Sequence, residues 1–347
     1  MSFSRPQSIL TAALVACTAL LAACGEDATE NEVNVYSYRQ EVLIRPLLDA
    51  FTEETGIQVN VVSGKADALL ERLKNEGINS PADLLLTADV GRLVRAQDAG
   101  VVQPIQSAMV DEIVPEAYRD PAGNWVGLSL RARTIFYAKD RVDPANLSTY
   151  AALTNEAWKG EICVRSSSNI YNQSMVAAMV GRNGVEVAEA WAQGIVDNMA
   201  RTPQGGDRDQ FRAVAADECD IAIANSYYYG RMLAEEPGSA DREVAESIGI
   251  FWADQDGAGT HVNISGAAVT KHAPNKDNAI KLIEFLLSEQ AQQIYAESVY
   301  EFPVRDGVAL SPIVEAWGDF AADDQNLSAL GTHSREAVMI MDRVGWQ

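Results

Sequence analysis

Tyrosines in this sequence gather where short apolar runs end. Tyr36 and Tyr38 close and follow Val33–Tyr36, and Tyr137 ends the run Leu128–Tyr137. Tyr171 lies in Arg165-Ser-Ser-Ser-Asn-Ile-Tyr171-Asn-Gln-Ser174, and Tyr227, Tyr228 and Tyr229 lie in Asn225-Ser-Tyr-Tyr-Tyr-Gly230. A lone tyrosine is more often a packing residue than a ligand. Several separate runs each ending on one form a different pattern. A phenol has a pKa near 10 and is neutral at ordinary pH. It becomes a metal ligand only by losing its proton, which needs a strongly polarising cation. The phenolate is a hard anionic oxygen donor, suited to ferric iron better than to zinc or copper, which prefer imidazole and thiolate. The three histidines, His261, His272 and His333, stand at none of these positions, which disfavours an imidazole site.

The elements that must position these side chains follow from hydrophobic periodicity. Val33–Tyr36, Gln58–Val62 and Asp83–Thr87 read as strands, and Glu41–Thr55 and Ala66–Glu76 as helices. Another helix runs from the end of Asp83–Thr87 to Ala99. The alternation restarts with strands Leu128–Tyr137, Glu161–Val164 and Asp220–Ala224, a β-rich stretch His261–Thr270, and helical residues Asn275–Ser298. Such alternation argues for α/β units with mainly parallel sheets flanked by helices. Two units joined by extended crossings give a bilobed molecule with a cleft between the lobes. The first lobe is expected from 32–127 and 261–303, the second from 128–260 and 304–347. Ligands of such sheets sit beyond the carboxyl ends of the strands, where the tyrosines fall. Tyr227 and Tyr228 would face opposite sides of a strand, so they converge only if the chain turns into a helix there. The turn formers Asn225 and Gly230 permit that.

The first 23 residues carry one charge, Arg5, and an apolar run Ile9–Ala23 broken only by Thr11 and Thr18, the pattern of an export signal. That run is short for a membrane span. Its exit, Leu21-Ala-Ala-Cys24, resembles a bacterial lipobox, which implies lipidation at Cys24; plain cleavage releasing a soluble protein is the alternative. The polar residues 24–31 suit a short tether. The chain carries 27 Lys and Arg against 49 Asp and Glu, a net charge of −22. That balance disfavours nucleic acid and anionic lipid surfaces as partners. Outside the signal and Cys24, the remaining cysteines are Cys163 and Cys219. They form an even pair in an oxidising compartment, read as a disulfide with two buried thiols as the alternative.

Beyond these chemical readings, the sequence resembles the periplasmic ferric-iron-binding proteins of ABC importers, the tyrosine-clamp members of the two-lobed solute-binding fold (type II). The resemblance rests on Val35-Tyr-Ser-Tyr-Arg-Gln40, Gly64-Lys-Ala-Asp67, Ser80-Pro-Ala-Asp-Leu-Leu-Leu-Thr87, Arg165–Ser174, Pro203-Gln-Gly205, Asn225–Gly230 and His261-Val-Asn-Ile-Ser-Gly266, in order along nearly the whole mature chain. It implies Tyr137, Tyr171, Tyr227 and Tyr228 as phenolate ligands of a transported Fe3+. It also implies a carbonate or similar anion, with Arg39 and Arg133 as its neighbours; an inter-lobe salt bridge is the competing use of these arginines. Gln40 stands where many members carry a histidine ligand. The implied protein is a monomeric, non-catalytic receptor on the periplasmic side, serving an inner-membrane permease. A cleft for a polyamine or an oxyanion is the rival reading. An envelope enzyme is the other, and Ser166-Ser167-Ser168 lacks the Gly-x-Ser-x-Gly setting of a hydrolase nucleophile. Asp67 and Asp89 could ligate from the first lobe, but helix capping is their commoner use.

Overall fold

The computed structural model describes Met1 and residues 31–347; the export signal, Cys24 and the tether up to residue 30 lie outside the described residues. Glu32–Gln347 forms one compact unit. Among the described residues no helix is long and apolar enough to cross a membrane.

The first part alternates as its periodicity dictates. Strand β1 (Glu32–Ser37), helix α1 (Glu41–Thr55), strand β2 (Gln58–Ser63), helix α2 (Ala66–Glu76), strand β3 (Leu84–Ala88) and helix α3 (Val90–Asp98) follow one another. Leu43, Leu47, Leu48 and Phe51 of α1 are buried on one stripe, and Gly56, at φ 72°, closes the helix in the left-handed conformation that glycine adopts freely. Short strand β4 (Val102–Gln103) and helix α4 (Ala108–Ile113) lead to β5 (Val126–Ala138), a 13-residue strand. Next come β6 (Ile162–Cys163), α5 (Ile170–Asn183), α6 (Val185–Asp197), α7 (Asp207–Ala215), β7 (Ile221–Asn225) and α8 (Ser226–Leu233). After helix α9 (Ala240–Ser247) come β8 (Ile248–Phe251), β9 (Val262–Thr270) and, after further helices, β10 (Phe302–Pro303). The expected Asn275–Ser298 helix is divided into Lys276–Leu286, Glu289–Ile294 and a π-turn at Tyr295–Val299.

The strands run in the order β2-β1-β3-β9-β5-β7-β6, with β4 on β9 and β8 and β10 on β5. β1 lies parallel to β2 and β3, and β6 parallel to β7. The long strands β5 and β9 are antiparallel to their neighbours, so the sheet is mixed where the alternation suggested mainly parallel pairing. Strand β5 is the crossing: Val126–Ala132 pair with β9, and Arg133–Tyr137 pair with β7. Its two ends also enter different cores. Val126, Leu128 and Leu130 pack with Val35, Phe51 and Leu282 in one. Ile135 packs with Ile162, Ile221 and Trp191 on one face of the sheet, while Phe136 packs with Phe211 and Tyr229 on the other, as strand alternation requires. The C-terminal segment is shared, with Leu327 and Leu330 in the first core and Ile340 and Met341 against Trp191.

Cys163 at the end of β6 and Cys219 ahead of β7 are joined as a disulfide, with Cα atoms 6.0 Å apart. The bridge closes a loop of 56 residues in sequence, so it restricts the unfolded chain more than a short loop would. Replacing both cysteines by alanine is expected to lower unfolding free energy by about 2–4 kcal/mol, measured by urea denaturation.

Candidate metal centre

Two helix starts bring the tyrosines together. Asn169 caps α5, its Oδ1 accepting the Tyr171 N–H at 3.1 Å, so Tyr171 stands in the first turn directly after the loop that follows β6. At the second start, β7 passes straight into α8 at Ser226. Tyr227 and Tyr228 therefore sit in the first turn of a helix and not on a strand, and their rings stack with centroids 4.1 Å apart at 31°. The turn needed for their convergence is thus present. Burial, then the nearby Tyr171 and Tyr228 hydroxyls, push the Tyr227 phenol well above its ordinary value. Tyr228 moves up for the same reasons, burial first and Tyr171 next. Protonated Tyr227 and Tyr228 are the stable forms without a cation, and their deprotonation requires one nearby.

Guanidinium groups surround this trio. The Cζ atoms of Arg131 and Arg165 lie 5.4 and 5.7 Å from the Tyr171 ring centroid. Arg39 lies close enough to Tyr227 to oppose part of its upward shift. Arg39 binds Glu301 at 2.8 Å and Ser265 at 2.6 Å through Nη1, while its Nε and Nη2 are buried without partners. Arg131 likewise leaves Nε and Nη2 buried without a hydrogen bond, Nη2 lying 3.9 Å from Asp89 Oδ2. Buried donors of this kind are costly unless something accepts from them.

One carboxylate holds both helix starts. Asp207, fully buried at the head of α7, accepts from Arg133 Nη1 at 2.8 Å, Arg165 Nη1 at 2.6 Å and the Asn225 N–H at 2.9 Å. Arg133 also donates to Asn225 Oδ1 at 3.2 Å, the Ile223 carbonyl at 3.0 Å and Asn172 Oδ1. Asn225 precedes α8 and Asn172 follows Tyr171, so this cluster ties both tyrosine-bearing turns to β5. Burial alone would raise the Asp207 pKa; the Arg133 and Arg165 charges outweigh it and hold the group below the usual carboxylate range.

Two expectations from the sequence need correction. Tyr137 is not with the trio. It pairs with Ile221, at the opposite end of β7 from Asn225, which pairs with Arg133. Four residues along a strand separate these ends by about 13 Å. The physical reason is strand direction: β5 is antiparallel to β7, so the carboxyl end of β5 lies away from the carboxyl end of β7. The Tyr137 ring lies instead on Gly249, where a Cβ would come within 2.4 Å of it, a close approach that requires glycine. The second concerns Arg133, whose two terminal nitrogens bond within the protein, salt bridging being its competing use, so that only its buried Nε lacks a partner. Arg131, two residues earlier on the same face of β5, leaves both Nε and Nη2 without a hydrogen bond, with Nη2 3.9 Å from Asp89 Oδ2. That spacing was visible in Arg131-Ala-Arg133, and Asp207 follows the Pro203-Gln-Gly205 stretch, but nothing in either pattern ranks one arginine over the other.

The other singled-out residues have structural roles. Tyr36 donates to Glu76 at 2.9 Å, and the Arg92 guanidinium covers the Tyr38 ring at 3.8 Å. Gln40 is exposed ahead of α1. Asp89 caps α3, accepting from Gly91 N–H at 2.9 Å, and Asp67 pairs with Arg95 at 3.3 Å. Ser166 and Ser168 bond to each other at 2.7 Å, with Asn169 taking the cap. Among the described residues no group of three His, Cys, Asp or Glu could hold a metal ion, so the phenols form the candidate donor set.

Asp207→Asn leaves two guanidiniums facing a neutral amide, and a loss of about 3–5 kcal/mol is expected in urea unfolding at pH 7. The depressed folded pKa means that the native carboxylate contributes fully above the ordinary Asp value near 4 and loses that contribution as pH falls through the folded value. The Asn variant lacks this component of acid sensitivity, which a pH series of unfolding midpoints measures.

Residues 47–322 match the model of the bacterial extracellular solute-binding protein family. Iron uptake protein A1 of Synechocystis is 47% identical over 338 residues, covering 94% of this chain and 93% of that protein. The major ferric iron-binding protein of Neisseria meningitidis serogroup B is 29% identical, covering 91% and 92%. Among solved structures, a Trichodesmium protein in complex with iron and citrate superposes with a TM-score of 0.88 at 47% identity, covering 91% of this chain and all of that one. The ferric binding protein from Campylobacter jejuni follows at 0.86 and 40%, with the same coverage. The relatives are named for binding and uptake, and the shared architecture is the two-lobed α/β fold of periplasmic binding proteins. With a family model spanning most of its length and relatives this similar end to end, the chain belongs to the bacterial extracellular solute-binding protein family.

Proposed function

We propose that this protein captures ferric iron in the cleft through the phenolates of Tyr171, Tyr227 and Tyr228 and hands it to an ABC permease. The observation that carries this reading is the convergence of three phenols, two of them buried, at the helix starts after β6 and β7. Three phenolates match the charge of one Fe3+, and a hard trivalent ion is the cargo that makes their deprotonation favourable. The named iron binding of relatives at 47% and 40% identity supports the same cargo. A polyamine cargo would give no reason for a trio of phenols.

Coordination positions beyond three phenolates fall to a small oxyanion such as carbonate, or to a carboxylate. The N–H groups of Arg39 and Arg131 that make no hydrogen bond are the donors that would hold it, in two-point fashion. Lobes formed by 32–127 with 261–303 and by 128–260 with 304–347 close around the ion by hinge bending, as two-lobed binders do. The protein works as a monomer without catalysis, at the periplasmic face, tethered through lipid on Cys24.

Ferric citrate added to the mature protein is expected to produce a visible tyrosinate-to-iron charge-transfer band. Tyr171→Phe weakens or shifts that band, and Tyr137→Phe leaves it in place. A colourless protein that retains no iron would overturn the reading. Because each phenolate releases a proton on binding, affinity falls as pH falls, by up to about three decades per pH unit. Competition against a chelator of known proton affinity measures that slope.

A further inference from the structure

The stretch Asn225–Gly230 ends on a glycine that the turn at Ser226 does not use. Gly230 lies inside α8 and is buried. Glycine in a helix interior is less favourable than alanine, because it gives up more backbone freedom on folding. What it provides here is clearance. A Cβ at this position would come within 2.7 Å of Tyr300 Cβ and 2.9 Å of Tyr300 Cγ, far inside the roughly 3.5–4.0 Å at which carbon atoms rest against each other. The Trp317 ring, at 3.1 Å, needs to yield only a few tenths of an ångström. Helix α8 therefore runs this close to Tyr300 only without a side chain at 230. Tyr300 itself is held in an uncommon state: its φ of 60° lies in the left-handed region, and it follows directly on the π-turn Tyr295–Val299. Irregularities of both kinds concentrate at functional sites.

From Tyr300 the contacts lead back to the tyrosines. The next residue, Glu301, is fully buried and accepts from Arg39 Nη1 at 2.8 Å. Arg39 interacts electrostatically with the Tyr227 hydroxyl, and Tyr227 stands three residues before Gly230, on the same side of α8. These contacts close a ring: along α8 from Tyr227 to Gly230, across to Tyr300, on to Glu301, and through Arg39 to Tyr227 again. Two of its links are chain continuity, one is a buried ion pair, and one is a charge facing a phenol. The remaining link, Gly230 against Tyr300, is set by steric fit alone. We propose that Gly230 is a positioning residue of the metal centre, letting α8 rest on Tyr300 so that the Tyr227 phenol is held in place against Arg39 and Tyr171. This role rests on the reading of the tyrosines as an iron site. A Cβ at 230 wedges α8 away from Tyr300; the phenols of its first turn move with it, whereas Arg39 stays with Glu301 and Tyr171 with α5. Binding constellations tolerate displacements of only about 0.5 Å, so the trio loses its fit to a single ion.

The test measures ferric iron affinity by chelator competition, together with the tyrosinate-to-iron band, in the mature protein and its variants. Gly230→Ala is expected to weaken iron binding by about 10- to 100-fold and to shift the band. Alanine is the better helix former, so such a loss cannot come from α8 itself. Adding Tyr300→Gly, which removes both carbons in the way, is expected to restore affinity and band. Adding Tyr300→Ala, which keeps the Cβ, leaves them impaired; a merely structural role would not distinguish the two. Unchanged affinity and band in Gly230→Ala, equal restoration by Tyr300→Ala and Tyr300→Gly, or a Gly230→Ala/Tyr300→Gly protein that fails to fold or to bind would overturn the proposal. The paired variants decide the matter even if Gly230→Ala alone does not fold. A wild-type protein without the band would sink the iron reading and the Gly230 role together; a wild-type band left unmoved by Gly230→Ala sinks the Gly230 role only.

Discussion

A carboxylate taken out of water must be met by charge and by hydrogen bonds, and Asp207 is met by two guanidiniums and a backbone N–H. Each partner belongs to a different part of the fold: Arg133 to the crossing strand, Arg165 to the loop before α5, Asn225 to the junction of β7 and α8. None of these can move without leaving a buried charge uncompensated. The tyrosines occupy the turns that this cluster fixes, with Tyr171 beside Asn172 and Tyr227 two residues beyond Asn225. Asp207 and its arginines set the positions of the tyrosine-bearing turns.

The same logic extends from the crossing strand into the first core. Glu301, fully buried, accepts from Arg39 at 2.8 Å and Ser265 at 2.9 Å, and also from Ser129 on β5. Asp89, held at φ 85°, accepts from Ser174 of α5 at 2.7 Å and Asn263 of β9 at 2.9 Å. Ser174 lies one helical turn beyond Tyr171. A tyrosine-bearing helix is therefore bonded to the capping residue of α3, which joins the two sides of the site through polar contacts, beside the apolar contact that Ala178 of the same helix makes with the first core. Such contacts can be exchanged for water at modest net cost. Around the phenols the chemistry is complementary. Neutral hydroxyls resist ionisation in burial, and adjacent guanidiniums retain donors that only an anion or a ligand oxygen would satisfy.

Much of this was legible in the residues. Local periodicity located α1 and α2 to the residue, because a 3.6-residue stripe such as Leu43, Leu47, Leu48 and Phe51 has no other stable home than a helix against a core. Strand β5 also emerged at nearly its true length. The pairing of Cys163 with Cys219 followed from compartment and count. Local turn chemistry likewise marked where Tyr227 and Tyr228 leave the strand. Strand direction was not legible: Leu128–Tyr137 carries the same apolar run whichever way its neighbours point, and that is why Tyr137 was grouped with tyrosines that the fold places elsewhere.

By itself, then, the sequence pointed to phenols over imidazoles as candidate donors, and it determined the elements that carry them and the family to which the chain belongs. Side-chain chemistry and short-range periodicity are properties of neighbouring residues, so they can be read along the chain. Only the tertiary structure decided which tyrosines meet and which arginine has its terminal nitrogens taken up by hydrogen bonds within the protein. Arg131 and Arg133 are chemically identical and share a strand face; what distinguishes them is Asp207, 74 residues beyond Arg133, which claims one and not the other. That choice depends on antiparallel register and on burial, two quantities that exist only once distant segments have packed.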